Sequence, residues 1–300
     1  AIQVSDIQIA KNLSSVQQGT RSPATENWGT SAWAYLRYIN YYLERSGNCS
    51  DETVRQRYDG VAYFFRALFY FEKVRKYGDI PYYDFVIPSN DWASLKRPRD
   101  SRGFVMKKVM EDLDRAITDL PDNWPSDALY RLSKNAARAM KARAALYEGT
   151  FRKYHSREPS SDKPWQNDVN NADNKFLREA AAAAKEIMDK GPFSLVTGDV
   201  KTAYRSLFTS AGLLTQEVIF GREYSKELSA FHETSWYYYS PTYGTKIAMT
   251  KKFMNTYLTT KGTPFTDIDG YQTIDFIREF DGRDARICLL YTSPSPRDRG

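Results

Sequence analysis

The chain has 300 residues, 41% of them hydrophobic and 15% aromatic, enough for one large domain or two small ones. Its 43 basic and 37 acidic side chains are interspersed and leave a net charge of +6, without the like-charge runs of a nucleic-acid-binding surface. No apolar stretch of about 18 residues is present to span a bilayer, and two distant cysteines, Cys49 and Cys288, give neither a disulfide framework nor metal-ligand spacing.

The opening residues, AIQVSDIQIAKNLSS, do not form a signal peptide. A first helix is expected near Ser31 to Arg45, with Trp33, Leu36, Ile39, Asn40 and Leu43 on one face. The longest helix is expected from about Asp51 to Tyr77, ending at Gly78. Its apolar set (Val61, Phe64, Phe65, Ala67, Leu68, Phe71, Val74) covers more than half the circumference, so it should be packed on several sides. Ser101 can cap the next helix, with Met106, Val109, Met110, Leu113, Ala116, Ile117 and Leu120 in a stripe, and Pro121 stops it. Ser133 can cap another, carrying Ala137, Met140, Ala144, Tyr147, Phe151 and Tyr154 on one face. Asp173 can cap a fifth helix, with Leu177, Ala180, Ala181, Ala184, Ile187 and Met188 in line, and Gly191 is expected as its left-handed stop. Beyond it, "FTDIDGYQTIDF" lacks the later ligands of a calcium loop and reads as a turn.

One helix is written nearly twice. "RALFYFEKVRKY" starts at Arg66 and "RAALYEGTFRKY" at Arg143, 77 residues later. Each copy is followed by a loop and a second amphipathic helix, giving pairs at about 51–120 and 133–190. This period is roughly twice the ~34 residues of a tetratricopeptide unit, with long loops added. One pair cannot bury its apolar face alone, so pairs are expected to stack into a right-handed array. Phe64, Phe65, Phe71, Tyr147 and Phe151 are then expected in the core.

The segment "GVAYFFRALFYFEKVRKYGDIPYYD" (Gly60 to Asp84) resembles the signature helix of the SusD/RagB family, with its Tyr-Gly-Asp-hydrophobic-Pro turn. "VMEDLDRAITDLP", "LSKNAARAMKARAALY" and "EAAAAAKEIMDKGPFSL" are similar to the family's next three helices. "YRSLFTSAGLLTQEVIFGREY" and "REFDGRDAR" resemble later segments in the same order, over about Trp28 to Arg286. The resemblance implies a mainly α fold: a truncated superhelix of tetratricopeptide-like helix pairs with long irregular loops. It implies a partial domain over 1–286, with a loop-rich ligand side at about 192–286. It further implies a non-catalytic lipoprotein on the outer face of the outer membrane of Bacteroidota, which binds oligosaccharide or polysaccharide and hands it to a TonB-dependent transporter. Membrane attachment would be through an N-terminal lipid anchor outside this chain, which is expected to be an internal fragment. The end, "CLLYTSPSPRDRG", departs from the family pattern and resembles translated adapter sequence, with a natural Pro-Ser-rich linker as the alternative. Residues 287–300 are accordingly expected to be non-native and exposed.

Sugars present apolar C–H faces rimmed by hydroxyls, and are met by exposed rings beside Asn, Asp, Arg or Gln. Three loop clusters have that composition: Glu26-Asn27-Trp28; "YYDFVIPSNDW", with Tyr82, Tyr83, Asn90, Asp91 and Trp92; and "SAFHETSWYYYSPTY", with His232, Trp236, Tyr237, Tyr238, Tyr239 and Tyr243. The ligand-binding candidates are Asn27, Trp28, Asn90, Trp92, Trp236, Tyr237 and Tyr239, with packing in loops as the alternative for each. Trp124 and Trp165 read as loop anchors. His155 and His232 are the only histidines and have no second ligand at metal spacing. No nucleophile elbow or phosphate loop appears, so no catalytic residue, metal or cofactor is expected. Two other functions stay open: a helical peptide-binding scaffold, and a helical glycoside hydrolase with paired carboxylates across a cleft.

Overall fold

The computed structural model describes residues 6–9, 13–22, 28–29, 31–124, 130–155, 157–159, 165, 175–199, 202–210, 212–222, 224–227, 229–234, 236, 240–242, 244, 248–275 and 278–289. The chain divides into two compact units. A helical unit comprises Asn27–Ser194 with Val218–Arg222; a loop-rich unit comprises Ala1–Glu26, Leu195–Glu217 and Glu223–Gly300.

The helical unit contains α1 (Ser31–Arg45), α2 (Glu52–Tyr77), the single turn α3 (Trp92–Leu95), α4 (Arg102–Asp119), α5 (Lys134–Tyr154) and α6 (Lys175–Lys190). Local chemistry sets the ends. The Asp51 carboxylate accepts from Val54 N at 3.0 Å and starts α2. Gly78, at φ 74°, ends it where a side chain would be strained. Ser101 and Ser133 cap α4 and α5 by accepting from Phe104 N and Ala136 N. The α6 cap expected at Asp173 lies outside the described residues.

Each long helix packs on the next long helix: α1 on α2, α2 on α4, α4 on α5, and α5 on α6. The resulting fold is mainly helical, as the repeat implied. Ala67, Val74, Val105, Met106, Leu113, Ala116, Ala137 and Ala144 are buried at the centre of this stack. Phe64 and Phe71 are buried, but Phe65 is 42% exposed, contrary to the core expectation. An aromatic run one residue longer than the buried face must put a ring on the other side. The expected α6 stripe is also corrected. Ala180 and Ala183 are buried, whereas Ala181 and Ala184 are exposed and Met188 is 80% exposed. Gly191 does not take a left-handed φ. It is needed for space, since a Cβ there would lie 2.4 Å from Ile187 O.

Two buried ion clusters lock the stack. Arg66 on α2 meets Asp112 on α4 in a bidentate pair, both bonds 2.7 Å. Glu148 on α5, fully buried, accepts from Arg102 on α4 at 2.7 and 2.9 Å and from Arg152 at 2.9 Å. Trp124 and Trp165 donate their indole N–H groups to Leu132 O and His155 O, each at 2.6 Å, and so pin loops as expected. No helix among the described residues is long and apolar enough to cross a membrane.

The loop-rich unit has little regular structure. A short ribbon pairs β1 (Gln8–Ile9) antiparallel with β2 (Ala248–Met249), Gln8 opposite Met249. Around it lie α7 (Ala203–Thr209), α8 (Lys251–Met254) and 3-10 turns at Phe265–Asp267, Tyr271–Thr273, Arg278–Phe280 and Ala285–Leu289. Phe265 and Ile287 are buried. Burial of Ile287 corrects the expectation that residues past Arg286 are exposed, because the closing 3-10 turn folds its apolar member inward. Residues 290–300 lie outside the described set.

Candidate functional site

In the helical unit, α1 and the segment 81–95 enclose a cleft of about 510 Å3 lined by Trp28, Trp33, Arg37, Tyr83, Phe85, Ile87 and Leu95, among others. The cleft exists because the segment after Gly78 cannot continue the helix and is tied down residue by residue. Ile80 and Asp100 bridge backbone to backbone. Tyr82 N donates to Asp100 Oδ2 at 2.7 Å, and Arg97 clamps the same carboxylate at 2.8 and 2.9 Å. Tyr83 N donates to the Tyr70 hydroxyl, which donates back to Tyr83 O. Asn40, buried on α1, donates to both Tyr83 O and Phe85 O at 3.0 Å and accepts from Arg66 at 3.4 Å. Arg37 donates to Ile87 O and Glu44 accepts from Val86 N. A polar network inside the helices thus fixes a loop whose outer surface is apolar. Such a wall is pre-formed, with little ordering entropy left for a ligand to overcome.

Burial raises the phenol pKa values of Tyr70, Tyr82 and Tyr83, so these hydroxyls stay neutral hydrogen-bonding groups at physiological pH. None of the described residues lining the cleft is Asp, Glu or His. The lining supplies apolar contact, the Arg37 guanidinium, the Asn40 amide, the Tyr83 and Ser89 hydroxyls and backbone groups.

The sequence candidates separate on this structure. Trp28 lines the cleft and packs edge-on to Trp33 (5.2 Å) and Tyr77 (4.7 Å), with Arg99 5.2 Å over its ring. Lys73 stands 5.3–5.8 Å from the rings of Trp28, Trp33, Phe69 and Tyr77, and burial lowers its pKa, with Lys76 adding to the effect. Tyr82 and Tyr83 are 5% and 6% exposed and belong to the core; Tyr83 still forms part of the cleft wall, whereas Tyr82 does not line it. The Tyr-Gly-Asp-Ile-Pro turn brings them back against α2, and alternation could not distinguish that from a surface loop. Asn90 is exposed, and Trp92 is 65% exposed. The Asp91 side chain caps α3 by accepting from Ser94 N and Ser94 Oγ; these bonds lower its pKa and present Trp92 outward. Trp236, in the loop-rich unit, is 53% exposed, and nearby in sequence Phe231 is 66% exposed, with His232 edge-on to Tyr224 at 4.9 Å. Asn27, Tyr237 and Tyr239 lie outside the described residues. Sequence reading missed the apolar wall formed by Phe85, Val86, Ile87 and Leu95. The signal available was the run "FVIP", which has no helical period and yet follows a helix stop.

Similarity to known proteins bears on the same region. Residues 4–146 match the SusD-like family described as "starch-binding associating with outer membrane", a span that contains every cleft residue. SusD-like protein P2 of Formosa agariphila is 31% identical over 146 residues, covering 48% of this chain and 28% of that protein. Two solved structures from Bacteroides fragilis share the fold. A SusD-like protein superposes with a TM-score of 0.69 at 23% identity, and a SusD-like carbohydrate-binding protein with 0.71 at 20%. Each match covers 95% of this chain, and 55% and 51% of the respective relatives, so the chain spans about half of their length.

Proposed function

The chain is a member of the SusD-like family, matched in sequence over residues 4–146 and in fold over nearly its whole length, and from that premise we propose that it binds oligosaccharide without chemically altering it. In the full-length protein this binding serves capture at the outer face of an outer membrane, with lipid anchorage, and delivery of the glycan to a TonB-dependent transporter. The observation that carries the reading is the exposure of two large tryptophan rings. Trp92, on the single helical turn α3, is 65% exposed three residues before the cleft-lining Leu95, and Trp236, at a helical position of the loop-rich unit, is 53% exposed. Apolar rings left in water by a scaffold with a full core are suited to the C–H faces of sugars. Trp28, Asn90 and the residues Asn27, Tyr237 and Tyr239 are assigned to the same role.

Affinity electrophoresis and calorimetry with soluble starch and laminarin test this directly. Trp92→Ala and Trp236→Ala should each weaken binding about five- to tenfold, since an aromatic contact contributes on the order of 1 kcal/mol beyond its buried area. Affinity should change little with salt, because the contacts are neutral. Unchanged affinity in both variants, or sugar release that one Asp or Glu substitution abolishes, would overturn the reading. A second reading, capture of an apolar peptide segment, is favoured by the Phe85-Val86-Ile87-Leu95 wall; competition between peptide and glycan would decide it.

A further inference from the structure

The loop-rich unit has a cavity of its own. A groove of about 1010 Å3 is lined by the segment 195–198, α7, Glu217 and the turn 280–286. Its chemistry differs from that of the cleft. Tyr204, 47% exposed on α7, supplies an aromatic surface. Arg286 and Asp284 supply a fixed planar pair, with Nε to Oδ1 at 3.0 Å and Nη2 to Oδ2 at 2.6 Å. Hydrogen bonds from Arg286 hold the Asp284 carboxyl below its ordinary pKa against the opposing effect of burial. Both groups are therefore charged at neutral pH. Glu217 is fixed by Val196 N, which donates to its Oε2 at 2.6 Å.

The floor is rigid. Arg283, 4% exposed, donates to the backbone carbonyls of Met254 and Tyr257 and lies 3.9 Å from the Phe265 ring. Its neighbours Thr259 and Asp284 are held by backbone bonds to Thr263 and Leu258. A groove held this way keeps its donors and acceptors in place before a ligand arrives.

We propose that this groove is a separate carbohydrate site, which takes a neutral sugar ring against Tyr204 with its hydroxyls on Glu217, Asp284 and Arg286. The choice of sugar as ligand class rests on the glycan-binding reading; the choice of a neutral one rests on charge. Three carboxylates (Glu217, Asp281, Asp284) face two guanidiniums (Arg283, Arg286) among the lining residues, so the groove carries a formal excess of one negative charge and repels phosphate or uronate. Neutral vicinal hydroxyls, which both donate and accept, suit a carboxylate–guanidinium pair better than any anion does. Its volume is at the upper end of ordinary ligand pockets, about 300–1,000 Å3, and admits more than one ring.

Hydrogen–deuterium exchange on the 300-residue chain, with maltoheptaose, laminarin oligosaccharides and polygalacturonate oligomers as probes, tests the assignment. A neutral probe should protect peptides from 195–199 and 280–286. Tyr204→Ala and the near-isosteric Glu217→Gln should each abolish that protection and lower affinity at this site about fivefold or more, leaving protection over 81–95 unchanged. Circular dichroism separates loss of binding from loss of folding. Neutral probes that protect 81–95 and leave the groove peptides unchanged would overturn the groove site while sparing the broader reading. Protection of the groove by polygalacturonate alone would overturn the neutral assignment. No protection anywhere by any probe would overturn both.

Discussion

The two copies of the repeated helix, Arg66–Tyr77 on α2 and Arg143–Tyr154 on α5, differ most in which arginine they bury. Equivalent alanines, Ala67 and Ala144, are fully buried in both. Arg66, at the start of the first copy, is 5% exposed, while its counterpart Arg143 is exposed. At the far end the order is reversed: Arg152 is 4% exposed and its counterpart Arg75 is exposed. Partners explain the switch. In the first copy α4 offers Asp112 beside Arg66. In the second, Glu148 occupies the place of Phe71 and gathers Arg152 from its own helix and Arg102 from α4. The same helical frame thus carries two different locks. The first also reaches the cleft, because Arg66 meets Asn40 and Asn40 holds Tyr83 and Phe85. The second joins helices to one another.

The strongest way to break this contrast is to remove the two acids in turn. Glu148→Ala removes the carboxylate shared by the buried guanidiniums of Arg102 and Arg152 and should cost about the 3–5 kcal/mol typical of a broken buried pair. Asp112→Ala strands one guanidinium and should fall at the lower end of that range, about 3 kcal/mol. Urea unfolding followed by circular dichroism measures both. Under conditions where each remains folded, Asp112→Ala should also loosen exchange over 81–88 and weaken glycan binding, whereas Glu148→Ala should leave both nearly unchanged. Equal effects on 81–88 would erase the distinction between the locks.

Close approach sharpens it next. A Cβ at Gly149 on α5 would lie 2.7 Å from Leu177 Cδ2 and 3.1 Å from Leu177 N, while one at Gly60 on α2 would meet Asp119 Cβ and Leu120 Cγ at 3.0 Å. Overpacking of this kind costs about 1–3 kcal/mol, against a helix-propensity gain of up to about 1 kcal/mol for Gly→Ala. Gly149→Ala should therefore destabilise by about 1–2 kcal/mol net and Gly60→Ala by less, both read from the unfolding midpoint. A Gly60 variant that costs more than Gly149→Ala would show the α2–α4 seam to be the tighter one.

Caps come third. Ser101→Ala and Ser133→Ala each remove a bond to the first turn, at Phe104 N and Ala136 N, and each should cost about 1 kcal/mol. A marked inequality between them would mean that one helix start is held by tertiary contacts instead.

The smallest effect is electrostatic. Burial raises the carboxyl pKa of Asp119 at the end of α4, Gln56 opposes the shift and the Asp59 charge adds to it. A carboxyl raised in the folded state binds its proton more tightly there than in the unfolded chain. Its contribution to stability is therefore fully present below the unfolded value and is lost as pH rises through the folded one. Asp119→Asn should flatten the dependence of stability on pH between the ordinary aspartate range and neutrality. An unchanged slope in urea midpoints measured across that window would exclude Asp119 as its source.

Much of the helical unit was legible from the sequence. The boundaries of α2, α4 and α5 follow from Asp51, Gly78, Ser101, Pro121 and Ser133, because caps and stops act over a single turn and need no distant partner. The repeat located the helix pairs for the same reason, since an apolar period is a property of one helix. The family resemblance likewise rests on ordered local motifs. Tertiary structure alone decided which way ambiguous faces turn. The alanine run of α6 specifies a helix but not a buried side, and the fit of Leu177 against Gly149 helps choose Ala180 and Ala183 over Ala181 and Ala184. Tyr82 and Tyr83 read as a surface aromatic pair, and the Tyr70 hydroxyl, Asp100 and Asn40 draw their backbone onto the helices. The cleft and the groove depend on side chains far apart in sequence, Arg37 with Ile87 and Glu217 with Val196. A sequence states local preference; which residues share a hollow is fixed by long-range burial and hydrogen bonding, and no local pattern encodes it.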